Sequence, residues 1–266
     1  MDKAIGVFDS GIGGLTVLKE IINTLPEENT IYLGDTARVP YGIKSSDTVI
    51  RYSLENAEFL SSKDIKLLVV ACNTASAVGL PALRDKYNLP IIGVIEPGAR
   101  KAIKVTKRKR VGVIGTERTI KSSAYVNSLK GIDPKIAVVS QACPLFVPLV
   151  EEGWTDNDIA FLTAERYLQR LKEADVDTLI LGCTHYPLLK DVIGKVLGDE
   201  VLLVDSAEET AAEVVGVLQS GDLLKTSNKS AVHEFYVTDA PEKFVEAGMR
   251  FLQGTEFKNV KQISVA

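Results

Sequence analysis

Leu68-Val69-Val70-Ala71-Cys72-Asn73-Thr74 is answered 111 residues later by Leu179-Ile180-Leu181-Gly182-Cys183-Thr184-His185. Each copy is a continuous aliphatic run that ends on a cysteine and passes into small hydrogen-bonding residues. An uninterrupted Val/Ile/Leu run of this length reads as a strand buried on both faces, the kind found in parallel sheets covered by helices. Two further echoes keep nearly the same spacing. Ile5-Gly6-Val7-Phe8-Asp9-Ser10 returns as Val111-Gly112-Val113-Ile114-Gly115-Thr116 at an offset of 106, and residues 91–95 return as 201–205 at an offset of 110. Three echoes at nearly constant offset point to an internal duplication.

Working outward, short apolar runs at 5–8, 30–33, 67–71, 91–95, 111–114, 135–139, 178–181 and 201–204 alternate with stretches such as 46–61, 156–173 and 207–219. The latter carry apolar residues at helical spacing. Repeated strand–helix units give an α/β class: two similar parallel-sheet domains related by pseudo-symmetry, with an active site in the cleft between them. One half is expected over residues 1–98 and the other over 99–207. The tail, with helical patterns at 207–219 and 241–252 and strand patterns at 232–238 and 260–265, has no partner in the second half. It is expected to pack back on the first, making that domain 1–98 plus 208–266.

Bulk properties narrow the function classes. The chain has 266 residues, enough for two cores, and a net charge of only -4, so it lacks the basic face that phosphate contacts need. The one basic run, 101–110, reads as a solvated helix end. Three cysteines in a chain of this size do not make a disulfide framework. The N-terminal residues show no apolar signal core, and no stretch approaches the roughly 18 apolar residues of a membrane span. A cytoplasmic location with free thiols is expected, with neither nucleic acid nor membrane as partner.

The chemistry is carried by the residues at the strand ends. A cysteine after a buried strand, with small polar residues and then a helical pattern behind it, stands at a helix N-terminus, where unpaired N–H groups favour a thiolate or a bound carboxylate. A single such cysteine reads equally as an inert core residue; two in duplicated positions point to Cys72 and Cys183 as a pair. A racemase needs this arrangement, because it removes a proton from one face of a carbon and returns one to the other. Asp9, closing the first strand before Ser10-Gly11-Ile12-Gly13-Gly14, is a candidate helper or a helix cap. That glycine run lets backbone approach a ligand closely but is neither a dinucleotide fingerprint nor a P-loop. His185, two residues from Cys183, can tune a thiol or shuttle its proton. His233 and Cys143 read as structural, and Glu151 alone reads as a loop glutamate. A hydrolase using only Cys183 with His185, or a two-lobed ligand-binding protein, stays open on these residues.

Five segments together carry a family resemblance: Phe8-Asp9-Ser10-Gly11-Ile12-Gly13-Gly14, Val39-Pro40-Tyr41-Gly42, Ala71-Cys72-Asn73-Thr74-Ala75, Ala142-Cys143-Pro144-Leu145-Phe146-Val147-Pro148-Leu149-Val150-Glu151, and Leu181-Gly182-Cys183-Thr184-His185-Tyr186-Pro187. The chain resembles the glutamate racemases of the aspartate/glutamate racemase family. Aspartate racemases differ in the opening motif and usually place Glu where this chain has His185. The resemblance implies an isomerase interconverting L- and D-glutamate for peptidoglycan synthesis. Cys183 would deprotonate the L-enantiomer and Cys72 the D-enantiomer. Asp9 would assist Cys72, and Glu151 with His185 would assist Cys183. Asp9, Ser10, Tyr41, Gly42, Asn73, Thr74, Thr184 and His185 would line the substrate pocket. It further implies no pyridoxal phosphate, no metal, and a homodimer.

Overall fold

Strand β1 (Ile5–Asp9) lies between β2 (Thr30–Gly34) and β3 (Leu67–Val70), and β4 (Ile91–Gly93) extends the sheet beyond β3; all these pairings are parallel. Every residue of the four strands is buried, as their unbroken aliphatic character requires. The computed structural model describes residues 2–252 and 259–265. A second parallel sheet is built from β5 (Arg110–Gly115), β6 (Ala137–Ala142), β7 (Thr178–Gly182) and β8 (Leu202–Asp205).

Its spatial order, β6-β5-β7-β8, repeats the order β2-β1-β3-β4 of the first sheet. The duplication read from the sequence is therefore a duplication of topology. β9 (His233–Val237) adds to the outer side of β2, and β10 (Lys261–Gln262) adds to β9, so the C-terminal strands extend the first sheet. The strand pattern expected at 260–265 forms a ladder only at Lys261 and Gln262.

Two boundaries differ from the sequence reading. The strand expected at 135–139 runs instead from Ala137 to Ala142. Asp133 and Pro134 form a turn in which the Lys135 and Ile136 N–H groups donate to Asp133, so pairing starts later. It then continues through Ser140 and Gln141, polar residues tolerated because β6 is an edge strand. The apolar run 91–95 is a strand only to Gly93; Ile95 already opens helix Ile95–Val105. Pro97 sits in that helix's first turn, where its missing N–H is harmless.

The two halves share one apolar core. Ile5, Val7 and Val69 of the first sheet and Leu179 and Leu181 of the second belong to a single buried cluster. Leu18 of helix Leu15–Thr24 and Ala211 and Val214 of helix Ser206–Ser220 complete the bridge. The carboxyl ends of β1, β3 and β7, where ligands bind in sheets of this kind, are thus held against one another. The basic run at the end of helix Ile95–Val105 is solvated and ion-paired: Lys101 with Glu209, Lys109 with Asp133, Arg110 with Asp175. No helix of the described residues is long and apolar enough to cross a membrane.

Candidate active site

Cys72 is the N-cap of helix Asn73–Lys86. Its thiol is 5% exposed and lies 3.6 Å from Ser10 Oγ. Burial raises the Cys72 pKa, and the nearby Asp9 adds to the effect; hydrogen bonds from the Ala75 N–H and Ser10 hold it at about 12 rather than higher.

The second half departs from the expected helix N-terminus. Cys183 is 7% exposed and is followed by a turn, a single 3-10 turn Tyr186–Leu189, and only then helix Lys190–Leu197. Pro187, which has no N–H to donate, stands in that turn. A histidine stands beside the sulfur: Cys183 Sγ lies 3.9 Å from His185 Nδ1. The two thiols occupy equivalent strand ends but have different chemical support.

His185 is 3% exposed, and its Nε2 lies 3.2 Å from Glu151 Oε1. Burial alone would lower the His185 pKa, but hydrogen bonds to Cys183 and Glu151, and the charge on both, override it and push it up to about 10. Burial likewise works against the Glu151 carboxylate, and the imidazolium reverses the effect, leaving its pKa below the ordinary range. Asp9 is 1% exposed; burial raises its pKa against the counter-effect of His185 and of N–H donors at Gly11 and Gly14. Charge on Cys183 adds to the upward pressure on Cys72, so one electrostatic environment contains both sulfurs.

The glycine run after Asp9 approaches protein rather than open space. A Cβ at Gly13 would overlap Thr184 Oγ1 and the His185 ring. The loop after β1 is therefore pressed onto the Cys-Thr-His turn of the other half, and Thr184 Oγ1 lies 3.4 Å from Asp9 Oδ2.

Asn73 is 2% exposed; its Oδ1 accepts a 2.6 Å hydrogen bond from the Tyr125 hydroxyl, while its Nδ2 has no partner among the described residues. A buried amide N–H of this kind suits a carboxylate oxygen. Thr74, Thr116 and Thr119 form a triangle of hydroxyls with edges of 2.9, 3.0 and 3.2 Å. Thr116 and Thr119 were not singled out from the sequence, although Thr116 is the repeat counterpart of Ser10. Tyr41 is buried, but its hydroxyl is taken by Asp35 and by Asn56 Nδ2 at 3.0 Å. Gly42 lines a cavity of about 330 Å³ with Thr116, Glu117, Pro148 and Glu151, and neither thiol is part of its lining. A larger cavity of about 600 Å³ beside Lys190, Asp205 and Arg250 includes neither thiol.

Cys143 is fully buried, with its thiol 3.7 Å from the Gln141 carbonyl. His233 Nδ1 pairs with the Thr30 hydroxyl at 2.9 Å. Among the described residues no group of three or more His, Cys, Asp or Glu side chains could hold a metal ion.

The sequence profile of the Asp/Glu/Hydantoin racemase family matches residues 5–214. A glutamate racemase of Geobacter metallireducens is 62% identical over 263 residues, covering 99% of this chain and 97% of that protein. Among solved structures, a glutamate racemase isoform from Bacillus anthracis superposes with a TM-score of 0.95 at 44% identity, covering 99% of this chain and 98% of the other. A Francisella tularensis glutamate racemase, crystallised with D-glutamate, superposes at 0.94 with 40% identity, again covering 99% and 98%. Sequence and topology agree: the chain belongs to the Asp/Glu/Hydantoin racemase family, among the glutamate racemases, and is an isomerase.

Proposed function

We propose that this racemase interconverts L- and D-glutamate by two-base proton transfer between Cys72 and Cys183, using neither pyridoxal phosphate nor a metal ion. The observation that carries the reading is the pair of buried thiols at equivalent strand ends, with the turn after Cys183 joined to the first half by the 3.4 Å Thr184–Asp9 contact. Cys183, backed by His185 and Glu151, takes the Cα proton of L-glutamate, and Cys72, backed by Ser10 and Asp9, delivers one to the opposite face. The reverse reaction exchanges the roles.

Removing this weakly acidic proton requires stabilisation of the charge that develops on the α-carboxylate. The Asn73 amide, the backbone N–H groups that open helix Asn73–Lys86, and Thr184 are the donors for it. The hydroxyl triangle of Thr74, Thr116 and Thr119 suits the second carboxylate. Gly42 and Tyr41 shape the wall, the tyrosine through its ring and backbone, since its hydroxyl is engaged elsewhere. We further propose domains of 1–98 with 208–266 and of 99–207, a homodimer, and a cytoplasmic role supplying D-glutamate to peptidoglycan synthesis.

Incubation with L-glutamate in deuterated water tests the reaction. Deuterium at Cα should appear together with D-glutamate, and aspartate in parallel should react far more slowly. Cys72→Ser should abolish racemisation; a variant that kept full turnover would remove the second base from the mechanism. A chelator or a carbonyl reagent should leave the rate unchanged.

A further inference from the structure

The last helix, Pro241–Leu252, belongs to the side of the first sheet, where Phe244 stacks on Tyr32 at 5.9 Å between ring centroids and the helix packs on helix Leu15–Thr24. Two consecutive residues at its end reach the other half of the molecule. Phe251, 2% exposed, meets the His185 ring edge-on, with centroids 5.7 Å apart and planes at 85°. Arg250 donates from Nη2 to the backbone carbonyl of Glu151 at 2.7 Å.

That carbonyl terminates the short helix Phe146–Glu151, so it is one of the acceptors a helix leaves without an internal partner, and a cation is favoured there. Gly153, at φ +77°, makes room for the guanidinium: a Cβ at this position would overlap Arg250 Nη1. The two residues that face each other across the 3.2 Å His185–Glu151 contact are therefore gripped from one element, the imidazole by Phe251 and the glutamate backbone by Arg250.

We propose that Arg250 is a positioning residue of the Cys183 half-site, fixing the end of helix Phe146–Glu151 so that the Glu151 carboxylate stays against His185 and the imidazole stays at the sulfur. The inference rests on the proposed two-thiol reading for its meaning in turnover. Neither Arg250 nor Phe251 touches Cys72, so the effect is confined to one of the two thiols. Other ionisable groups act on this unit: Asp9 on the imidazole, Lys243 on Glu151, and Cys72, Cys143, Tyr125 and Tyr186 each coupled to Cys183. The Cys72 profile and the Arg250→Lys variant separate a change at the Glu151–His185 contact from these other influences.

The test is thiol-resolved alkylation. Wild type, Arg250→Met and Arg250→Lys are treated with iodoacetamide across neutral to alkaline pH, and modification of each cysteine is followed by peptide mass spectrometry. A loosened Glu151 supports the imidazolium less, and the imidazolium supports the thiolate. Arg250→Met should therefore slow alkylation of Cys183 about 3-fold or more at neutral pH. It should leave the Cys72 profile in place and lower kcat about 3- to 10-fold, the scale of one partly exposed hydrogen bond. Arg250→Lys, which keeps a donor, should recover most of both.

An unmoved Cys183 profile overturns the inference, and so does an equal shift at both thiols, which marks general loosening. Fully buried Cys143 reports folding; if it becomes reactive in Arg250→Met, Arg250→Gln is judged by the same two profiles. A wild-type protein with no activity on glutamate would defeat the proposed function, whereas only the alkylation comparison decides the role of Arg250.

Discussion

Replacing Glu151 by Gln should pull the His185 pKa down from about 10 by roughly one to two pH units. The magnitude comes from the surroundings of the ring. Burial opposes the imidazolium, yet the pKa stands at about 10 instead of the ordinary 6.5, so the charged form is strongly favoured. Cys183 and Glu151 supply that preference between them, so removing the Glu151 charge while keeping its shape should leave the Cys183 contribution in place. The chain has only 2 histidines, which makes the ring protons separable by proton NMR. His233, lowered by burial and by Lys225, should titrate below 6.5 in both proteins. In the wild type the other ring should titrate near 10, and in Glu151→Gln it should move down while His233 stays. Loss of general acid–base support should also cost about 10²-fold or more in kcat. Two rings titrating near 6.5 in the wild type, or an unmoved upper titration in the variant, would refute the electrostatic account of this half-site. The folded-state pKa lies above the unfolded value, so the associated stability is whole below about pH 6.5 and is lost as pH rises through about 10.

Thr116→Val breaks two edges of the hydroxyl triangle and should raise KM for glutamate about 5- to 10-fold; because the same hydroxyl caps helix Glu117–Lys121, it should also cost about 0.5–2 kcal/mol of stability, and an unchanged KM would place the second carboxylate elsewhere. Gly13→Ala drives a methyl group into Thr184 and His185, and should lower stability by about 1–3 kcal/mol in urea unfolding while reducing kcat far more than the same loss of stability would elsewhere. Lys66→Met strands the buried Glu28 carboxylate, which pairs with Lys66 and accepts the Lys225 N–H. Equilibrium unfolding should report a loss of about 3–5 kcal/mol, with activity per folded molecule unchanged.

Much of the fold was legible because buried parallel strands announce themselves through unbroken Val/Ile/Leu runs. The duplicated cysteines were legible because strand, thiol and small polar residues fall at one spacing in both halves. Boundaries slipped where short-range turn chemistry overrode hydropathy, at Asp133-Pro134 and at the passage from Gly93 into helix Ile95–Val105. A helix N-terminus directly behind Cys183 was a reasonable expectation from the repeat, but a 3-10 turn follows it and His185 stands beside the sulfur.

Local pattern alone, then, determined the α/β class, the repeat and the equivalent strand-end positions of Cys72 and Cys183, because periodicity and strand ends are properties of neighbouring residues. Family resemblance, not pattern, singled out Glu151. Its partnership with His185, the Thr74–Thr116–Thr119 triangle, the engagement of the Tyr41 hydroxyl by Asp35, and the grip of Arg250 and Phe251 on the second half were decided only in three dimensions. Each of these joins segments tens to hundreds of residues apart or turns on which way a side chain points, and neither distance across a cleft nor side-chain direction is encoded in the hydropathy of a stretch of chain.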